Sequence, residues 1–268
     1  MQITATEVYK SIETIRQKAP VVHNITNYVV MNNTANALLA LGASPVMAHA
    51  IEEVEEMVNI ASALVINIGT LSESWIASMF KAAAQAVKKG IPIIIDPVGA
   101  GATTFRTKTA RDLIGGNPPA VIRGNASEIM ALSDDKTRTK GVDSAAASDS
   151  AIAAAQNLSE HYKCVVCVSG TVDYVVEGGQ IIKVRNGHSL MTKVTGLGCT
   201  ASALCGAFAA VEKSALAATA KAMAVMGIAG EMAAEKAAGP GSLQMHFLDN
   251  LYNLSENDIR RRLKVDDL

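Results

Sequence analysis

The sequence predicts a three-layer α/β/α sandwich built on a mainly parallel sheet with a hairpin at one edge. Three observations predict it. Through residue 168, short apolar runs alternate with longer amphipathic ones, and each crossover helix in such a rhythm must bury its apolar stripe against a sheet. Residues 173–176 and 180–184 then flank Glu177-Gly178-Gly179, which reads as an edge hairpin. The 268 residues are 49% hydrophobic and 18% charged, with Ala, Val and Ile carrying the apolar count. That balance suits one large core and excludes a disordered chain.

The chain opens with Thr4-Ala-Thr-Glu7, a capping box ahead of Val8, Ile12 and Ile15 at helical spacing. Residues 20–25 form a strand, 28–41 a helix closed by Gly42, and 45–47 a second strand before a helix over 52–62. A third strand over 64–68 leads into a helix over 73–89 closed by Gly90, then a fourth strand over 91–95. A helix over 108–114, a strand over 120–122 and helices over 127–132 and 148–162 carry the rhythm to a sixth strand over 164–168. From Cys199 onward the chain reads as nearly all helical. Gly239-Pro-Gly-Ser242 interrupts it before a last amphipathic piece over 243–254. The polar stretch 133–144 is short enough for a surface loop. No linker divides the chain, so residues 1–268 are expected to form one domain.

Charge and composition exclude several classes of function. The net charge is −1 and the longest basic cluster is Arg260-Arg261-Arg262, so no nucleic-acid partner is expected. Glu7, Lys10, Glu13 and Arg16 break up the apolar residues of the N-terminus, unlike a signal peptide. Residues 199–237 are apolar, but Glu212, Lys213, Lys221, Glu231 and Glu235 interrupt them short of the roughly 20 apolar residues of a membrane span. A cytoplasmic protein is the expectation. Cys164 and Cys167 spell C-x-x-C inside a β-branched run, where residues three apart point to opposite faces and cannot close on one metal. They read as small core residues. The five histidines are scattered without paired spacing, so no structural metal is indicated.

The informative feature is where the polar residues fall. In parallel α/β sheets, ligands bind outside the carboxyl ends of the strands. His23, Asn24 and Asn27 follow the first strand, Met47 and His49 the second, and Asn67, Gly69 and Thr70 the third. Asp96 follows the fourth, Arg123, Asn125 and Glu128 the fifth, and Ser169-Gly170 the sixth. Asp96 opens Asp96-Pro-Val-Gly-Ala-Gly-Ala-Thr103, where Gly99 and Gly101 let backbone approach a ligand. An Asp-Pro pair also starts ordinary turns. Arg123-Gly-Asn-Ala-Ser-Glu128 supplies a cation and a second carboxylate near the same rim. Magnesium takes one or two carboxylates plus phosphate oxygens and keeps several waters, a demand that Asp96 and Glu128 fit.

The third element is Val194-Thr-Gly196-Leu-Gly198-Cys199, a glycine turn opening into a helix. Free amides there form an anion hole, and the helix dipole adds about 0.3–1 kcal/mol for a nearby negative charge. Together these features read as a site that holds magnesium-nucleotide phosphates and passes a phosphoryl group to a small alcohol. Gly196-x-Gly198-x-x-Ala201 also fits a degenerate dinucleotide fingerprint. That motif belongs in a first βαβ unit with a carboxylate ending a second strand ~20 residues on, whereas 215–220 here is helical. A G-x-x-x-x-G-K-[ST] loop is absent, which excludes an ATPase of the P-loop type. A non-catalytic binder of the same architecture would have no need of two acids beside an anion hole.

With these residues assembled, the chain resembles the hydroxyethylthiazole kinase family of the ribokinase-like superfamily. The resemblance runs essentially from end to end. It rests on Val22-His-Asn-Ile-Thr-Asn27, Ala40-Leu-Gly-Ala-Ser-Pro-Val-Met47, Asn67-Ile-Gly-Thr-Leu71 and Asp96-Pro-Val-Gly-Ala-Gly-Ala-Thr103. Ile122-Arg-Gly-Asn-Ala-Ser-Glu128, Lys140-Gly-Val-Asp143, Lys193-Val-Thr-Gly-Leu-Gly-Cys199 and Gly239-Pro-Gly-Ser242 come after them in the family's order.

The resemblance implies ATP-dependent phosphorylation of the hydroxyethyl group of 4-methyl-5-(2-hydroxyethyl)thiazole, a thiamine salvage step, and a homotrimer with active sites at subunit interfaces. It puts Asn27, Met47 and Gly196 at the thiazole, and Arg123, Asn125 and Ser169 at the nucleotide, Ser169 standing where relatives often have Thr. Asp96 and Glu128 fall at the magnesium, and Gly196, Gly198 and Cys199 at the transfer step. Most of the superfamily has Asp at the position of Cys199, as general base. A thiol lowered somewhat from its usual ~8.5 by the helix N-terminus is the expectation here, with Cys199 positioning the alcohol more than deprotonating it. The related rival is a hydroxymethylpyrimidine kinase; the first-strand stretch Val22–Asn27 favours thiazole.

Overall fold

The apolar runs fold as strands and the amphipathic runs as the helices that cover them. The structure, a computed structural model, describes residues 3–133 and 144–267. In chain order the elements are α1 (Ala5–Lys18), β1 (Val21–Ile25), α2 (Met31–Leu41), β2 (Ser44–Val46), α3 (Val54–Ile60), β3 (Ala63–Asn67), α4 (Glu73–Lys89), β4 (Ile93–Asp96), α5 (Thr104–Gly116), β5 (Val121–Asn125) and α6 (Ala126–Ser133). Next come α7 (Ser144–Tyr162), β6 (Val165–Ser169), β7 (Asp173–Glu177), β8 (Gln180–Val184), a 3₁₀ turn (Ser189–Lys193), α8 (Leu197–Ala209), α9 (Ala215–Ala234), α10 (Pro240–Asn253), α11 (Glu256–Arg262) and β9 (Val265–Asp267).

The capping box at Thr4 and Glu7 forms as expected, and Gly42 and Gly90 close α2 and α4. The helix expected over 28–41 begins only at Met31, because residues 27–30 make a turn in which Asn27 accepts from the Val29 amide. The helix expected over 108–114 starts earlier, at Thr104, where the Thr103 hydroxyl accepts from the Arg106 amide. The loop expected over 133–144 and the stretch Lys140–Asp143 lie almost wholly outside the described residues.

Among the described residues the nine strands form one sheet in the order β2-β1-β3-β4-β5-β6-β7-β8-β9. The first six are parallel and the last three antiparallel. The hairpin β7–β8 forms, but it is not the edge: the C-terminal residues of β9 pair outside it, a strand too short and too charged to stand out in the sequence. The order reverses between β1 and β3, since β1 sends the chain outward to β2 before it returns to β3. Such a switch point leaves a crevice at the carboxyl ends of the strands.

Side chains alternate across the sheet and so divide into two cores. Val22, Val65, Ile94, Val121 and Cys167 face α1, α2 and the helices from α8 to α11. Ile25, Ile66, Ile95, Ile122 and Val166 face the layer from α3 to α7. Cys164 and Cys167 fall in opposite cores, as the strand period requires. The helix Ala215–Ala234 has the length and composition to cross a membrane, yet 83% of its apolar window is buried inside the protein, and it serves as a core helix.

One contact fixes the pitch of α8 on the sheet. A Cβ at Gly206 would stand 2.7 Å from Val65 Cγ2 and 3.2 Å from Val22 Cγ1, so the helix lies directly on β1 and β3. Overfilling such a core costs roughly 1–3 kcal/mol. Gly206→Val is therefore expected to lose about that much stability in urea unfolding; an unchanged midpoint would contradict the close approach.

Candidate active site

Five of the strand ends at the crevice contribute, together with the start of α8. Asp96 ends β4 with 1% of its surface exposed. Its Oδ2 accepts from Asn67 Nδ2 at 2.7 Å and Ser202 Oγ at 2.8 Å, while its Oδ1 is buried without a partner. Burial pushes this carboxyl up to about 6, against the pull of Arg123 and the Ser202 hydrogen bond. Asn67 also accepts, through Oδ1, from Asn27 Nδ2 at 2.9 Å and from the Gly69 amide at 2.9 Å. Asn27 Nδ2 in turn reaches Cys199 Sγ at 3.5 Å. A continuous chain of hydrogen bonds thus runs from Cys199 through Asn27 and Asn67 to Asp96 and Ser202.

Arg123, in β5, ties the sheet to the start of α8. Its Nη1 donates to the Gly198 carbonyl at 3.0 Å and its Nη2 to Ser169 Oγ at 2.6 Å. Burial opposes the guanidinium charge most strongly of any single influence, but Asp96, together with Cys167, Asp173 and Cys205, holds the pKa above the ordinary arginine value. The Arg123 Nε is buried and unpartnered. Glu128 is held differently: Oε1 accepts from the Gly99 amide at 2.9 Å and Oε2 from the Asn125 amide at 2.8 Å. Asn125 Oδ1 accepts in return from the Glu128 amide at 3.0 Å, a reciprocal cap that starts α6. Glu128 therefore pins the Asp96–Gly99 loop to the β5–α6 junction.

The glycine turn has the geometry the sequence suggests. Gly196 sits at φ +84, where an L side chain is strained, and a Cβ there would also meet Val30 Cγ1 at 2.7 Å. The first helical bond is Thr200 N to Gly196 O at 2.8 Å, so the amides of 197–199 have no intrahelical acceptor. The thiol of Cys199 corrects the expectation from sequence. It is not lowered by the helix N-terminus but raised to about 11, first by burial and then by the Asp96 carboxylate, against the hydrogen bonds of Asn67 and Asn27. Desolvation of the thiolate outweighs a dipole worth about 0.3–1 kcal/mol.

Asn27, Asp96, Arg123, Asn125, Glu128, Gly196, Gly198 and Cys199 line one cavity of about 420 Å³. Ser169 opens onto an adjoining cavity of about 410 Å³, which shares Arg123 and Gly198 with the first. Met47, just beyond β2, is half-buried and lines neither cavity of its own chain.

Several residues that build the site carry no mark in the sequence. Ser202 lies 106 positions from the Asp96 it holds. Arg106 donates to the carbonyls of Ile68, Val98 and Gly69 and braces two cavity loops at once. Asp173, which accepts from the Gly170 amide at 3.0 Å, is pushed up to about 6 by burial and lines the second cavity. The sequence signals near them are Asn67 and Gly69 after the third strand and Gly170 after the sixth.

A sequence model described as the hydroxyethylthiazole kinase family matches residues 12–257. The chain is 62% identical over 266 residues to a hydroxyethylthiazole kinase of Syntrophus aciditrophicus, covering 99% of this chain and 98% of that one. A solved structure of the hydroxyethylthiazole kinase protein from Pyrococcus horikoshii superposes with a TM-score of 0.90 at 46% identity, over 98% of this chain and 99% of that one. A pyridoxal kinase from Staphylococcus aureus, solved with AMP-PCP, shares the fold at a TM-score of 0.61 and 15% identity, over 78% of this chain and 86% of that one.

A thiol at about 11 is almost wholly protonated at neutral pH, and the thiolate is the nucleophile. Alkylation of Cys199 by iodoacetamide, followed by peptide mass spectrometry, is expected to be slow at pH 7 and to accelerate about tenfold per pH unit toward 11. A rate that levels off near pH 8 would contradict the raised value.

Proposed function

The chain belongs to the hydroxyethylthiazole kinase family, and on that premise we propose that it transfers the γ-phosphoryl group of ATP to the hydroxyethyl group of 4-methyl-5-(2-hydroxyethyl)thiazole, a step of thiamine salvage. The observation that carries the reading is the convergence of Asp96, Arg123, Glu128 and the 196–199 turn on one cavity. The single continuous sheet supports taking the whole chain as one kinase domain.

Phosphoryl transfer passes through a loose transition state, so positioning and charge stabilisation dominate it. Arg123 supplies fixed positive charge between the two cavities, with the Ser169 hydroxyl beside it. The amides of 197–199 point where the transferring group gathers negative charge. The alcohol sits against Cys199, whose sulfur Asn27 holds in place. Because the thiol is protonated at neutral pH, it orients the acceptor rather than taking its proton. Asn27 commits both amide hydrogens to Asn67 and Cys199, which supports an indirect role toward the thiazole.

Magnesium fits the acids present. No cluster of three ligating His, Cys, Asp or Glu side chains exists among the described residues, and magnesium needs none, since phosphate oxygens and water complete its shell. The unpartnered Oδ1 of Asp96 is the free acceptor a cation or its water would satisfy, whereas both Glu128 oxygens already accept amides and would act through water. When bound, magnesium supplies charge neutralisation on the phosphates.

A homotrimer with interface sites is part of the proposal. Val29 lines the first cavity yet is 62% exposed, and Tyr28 beside it is 65% exposed in a cluster with His49 and Trp75. An interface there would cover this apolar rim and let Met47, remote from its own cavity, serve an adjacent chain. Light scattering is expected to give three times the chain mass; a monomer at micromolar concentration would remove that part.

Purified protein with Mg-ATP and a panel of thiazole and pyrimidine alcohols is expected to yield the thiazole phosphate ester by mass spectrometry. Formation of the pyrimidine ester alone would replace the substrate. Arg123→Ala is expected to lower kcat about 10²–10³-fold, and Cys199→Ser less than about tenfold; equal losses would defeat the positioning role. Glu128→Gln sets an amide nitrogen against a backbone N–H, so turnover should fall far more than thiazole affinity measured by calorimetry.

A further inference from the structure

The second cavity begins at Arg123 and Ser169 and ends against an apolar floor formed by Leu197, Ala201, Met223 and Met226. Its remaining wall is the segment 186–192, which leads into and through the 3₁₀ turn. This wall is rich in polar residues, yet several of its polar groups are committed elsewhere. Asn186 Nδ2 donates to the Arg262 carbonyl at 2.7 Å and to Glu231 at 3.2 Å, and its Oδ1 accepts from the Lys264 amide at 3.0 Å. The Gly187 amide is taken by Glu231 at 3.0 Å. His188 Nδ1 accepts from the Leu190 amide at 3.2 Å, and the Thr192 hydroxyl donates to the Ser189 carbonyl at 2.8 Å.

The wall is also clamped. A Cβ at Gly227 would stand 2.5 Å from the Asn186 carbonyl carbon, and one at Gly230 would collide with Met191 Sδ, so the segment lies hard against α9. Breaking these contacts to free a donor would leave their partners unsatisfied. The residual polar side chains at the rim, Thr171, Ser189 and the Nε2 of His188, are exposed, and exchanging water for a base edge there gains little. Asp173, the buried acid of this cavity, accepts from the Gly170 amide, close in sequence to Ser169.

A flat heterocycle entering this slot meets methionine and leucine, not a matched set of donors and acceptors. Methionine sulfur makes favourable contact with aromatic rings whatever their edges carry. The difference in selectivity between the two kinds of pocket is large. A pocket that hydrogen-bonds a group rejects its analogue by about 10⁴–10⁵, whereas an apolar pocket discriminates by roughly 10–200-fold. We infer that the second cavity holds the base of the donor by apolar contact and does not read its edge, so that the phosphoryl donor is a purine nucleoside triphosphate in general rather than ATP alone. The inference rests on the kinase reading above and names the substrate class of its nucleotide site.

The test measures initial rates of thiazole phosphate formation by the full chain with ATP, GTP and ITP at equal free magnesium, and the affinities of ADP and GDP by calorimetry. Expected are kcat/KM values for GTP and ITP within about a hundredfold of ATP, and affinities for ADP and GDP within the same range. A wider gap, with ATP active, would overturn the inference while leaving the kinase reading intact. Inactivity with every nucleotide would remove both.

Discussion

The site depends on one buried charge. Asp96 stands at the end of the interior strand β4 with half of its hydrogen-bonding capacity satisfied, and moving an ionised carboxylate out of water is costly unless partners replace the lost hydration. The partners supplied are neutral donors, Asn67 and Ser202, with the Arg123 charge close enough to oppose the effect of burial. That arrangement explains why elements far apart in sequence must meet. β3 brings Asn67, α8 brings Ser202, and β5 brings Arg123; loss of any one leaves the carboxylate less well compensated. A group left half-satisfied inside a protein is an acceptor open to something of opposite polarity, and Asp96 lines the cavity in which the proposed magnesium and phosphates would lie.

The second constraint is where α8 begins. Its N-terminus has to lie over the strand ends for its free amides to face the cavity, and three contacts put it there. Gly206 lets the helix rest on β1 and β3, Gly196 lets the turn pass within reach of Val30, and Arg123 binds the Gly198 carbonyl from the sheet side. Arg123 thus serves two ends: it fastens the helix start and presents charge at the junction of the cavities. A residue with both tasks couples stability of the turn to occupancy of the site, since any ligand drawing the guanidinium away must compensate for the bond to Gly198.

The layering is legible in the sequence because it depends on period alone. Alternating strands with helical crossovers leave few ways to bury both faces, and polar residues at successive strand ends mark the ligand side. Asp96, Arg123 and Glu128 are marked by that position and the turn at 196–199 by its glycines ahead of a helix, and they line one cavity. Partnerships are not legible. Ser202 sits one helical turn into an apolar stretch, and Arg106 looks like any charged residue on α5, because a hydrogen bond across 106 or 38 positions leaves no local pattern. The pKa of Cys199 departs from its sequence expectation for the same reason. A helix N-terminus is visible in sequence, but the burial and the neighbouring carboxylate that outweigh it exist only once the chain has folded. Likewise β9 takes its place beside β8 through backbone bonds, which side-chain identity does not specify.

The protonated thiol also limits how the transfer can proceed. At pH 7 a thiol near 11 offers roughly one thiolate in 10⁴ molecules. General-base catalysis supplies only about 10²–10⁴-fold, so a Cys199 base would cancel most or all of its own advantage by its scarcity. A positioning thiol carries no such penalty. It is held by Asn27 at the end of the hydrogen-bond chain that also fixes Asp96, so the proposed alcohol site and the acid proposed to face the phosphates share one set of supports. In a loose transition state the acceptor proton need not leave early, and alignment with the phosphorus matters more than basicity. On the proposed reading, the buried polar groups hold two reactants in register rather than generate a strong base.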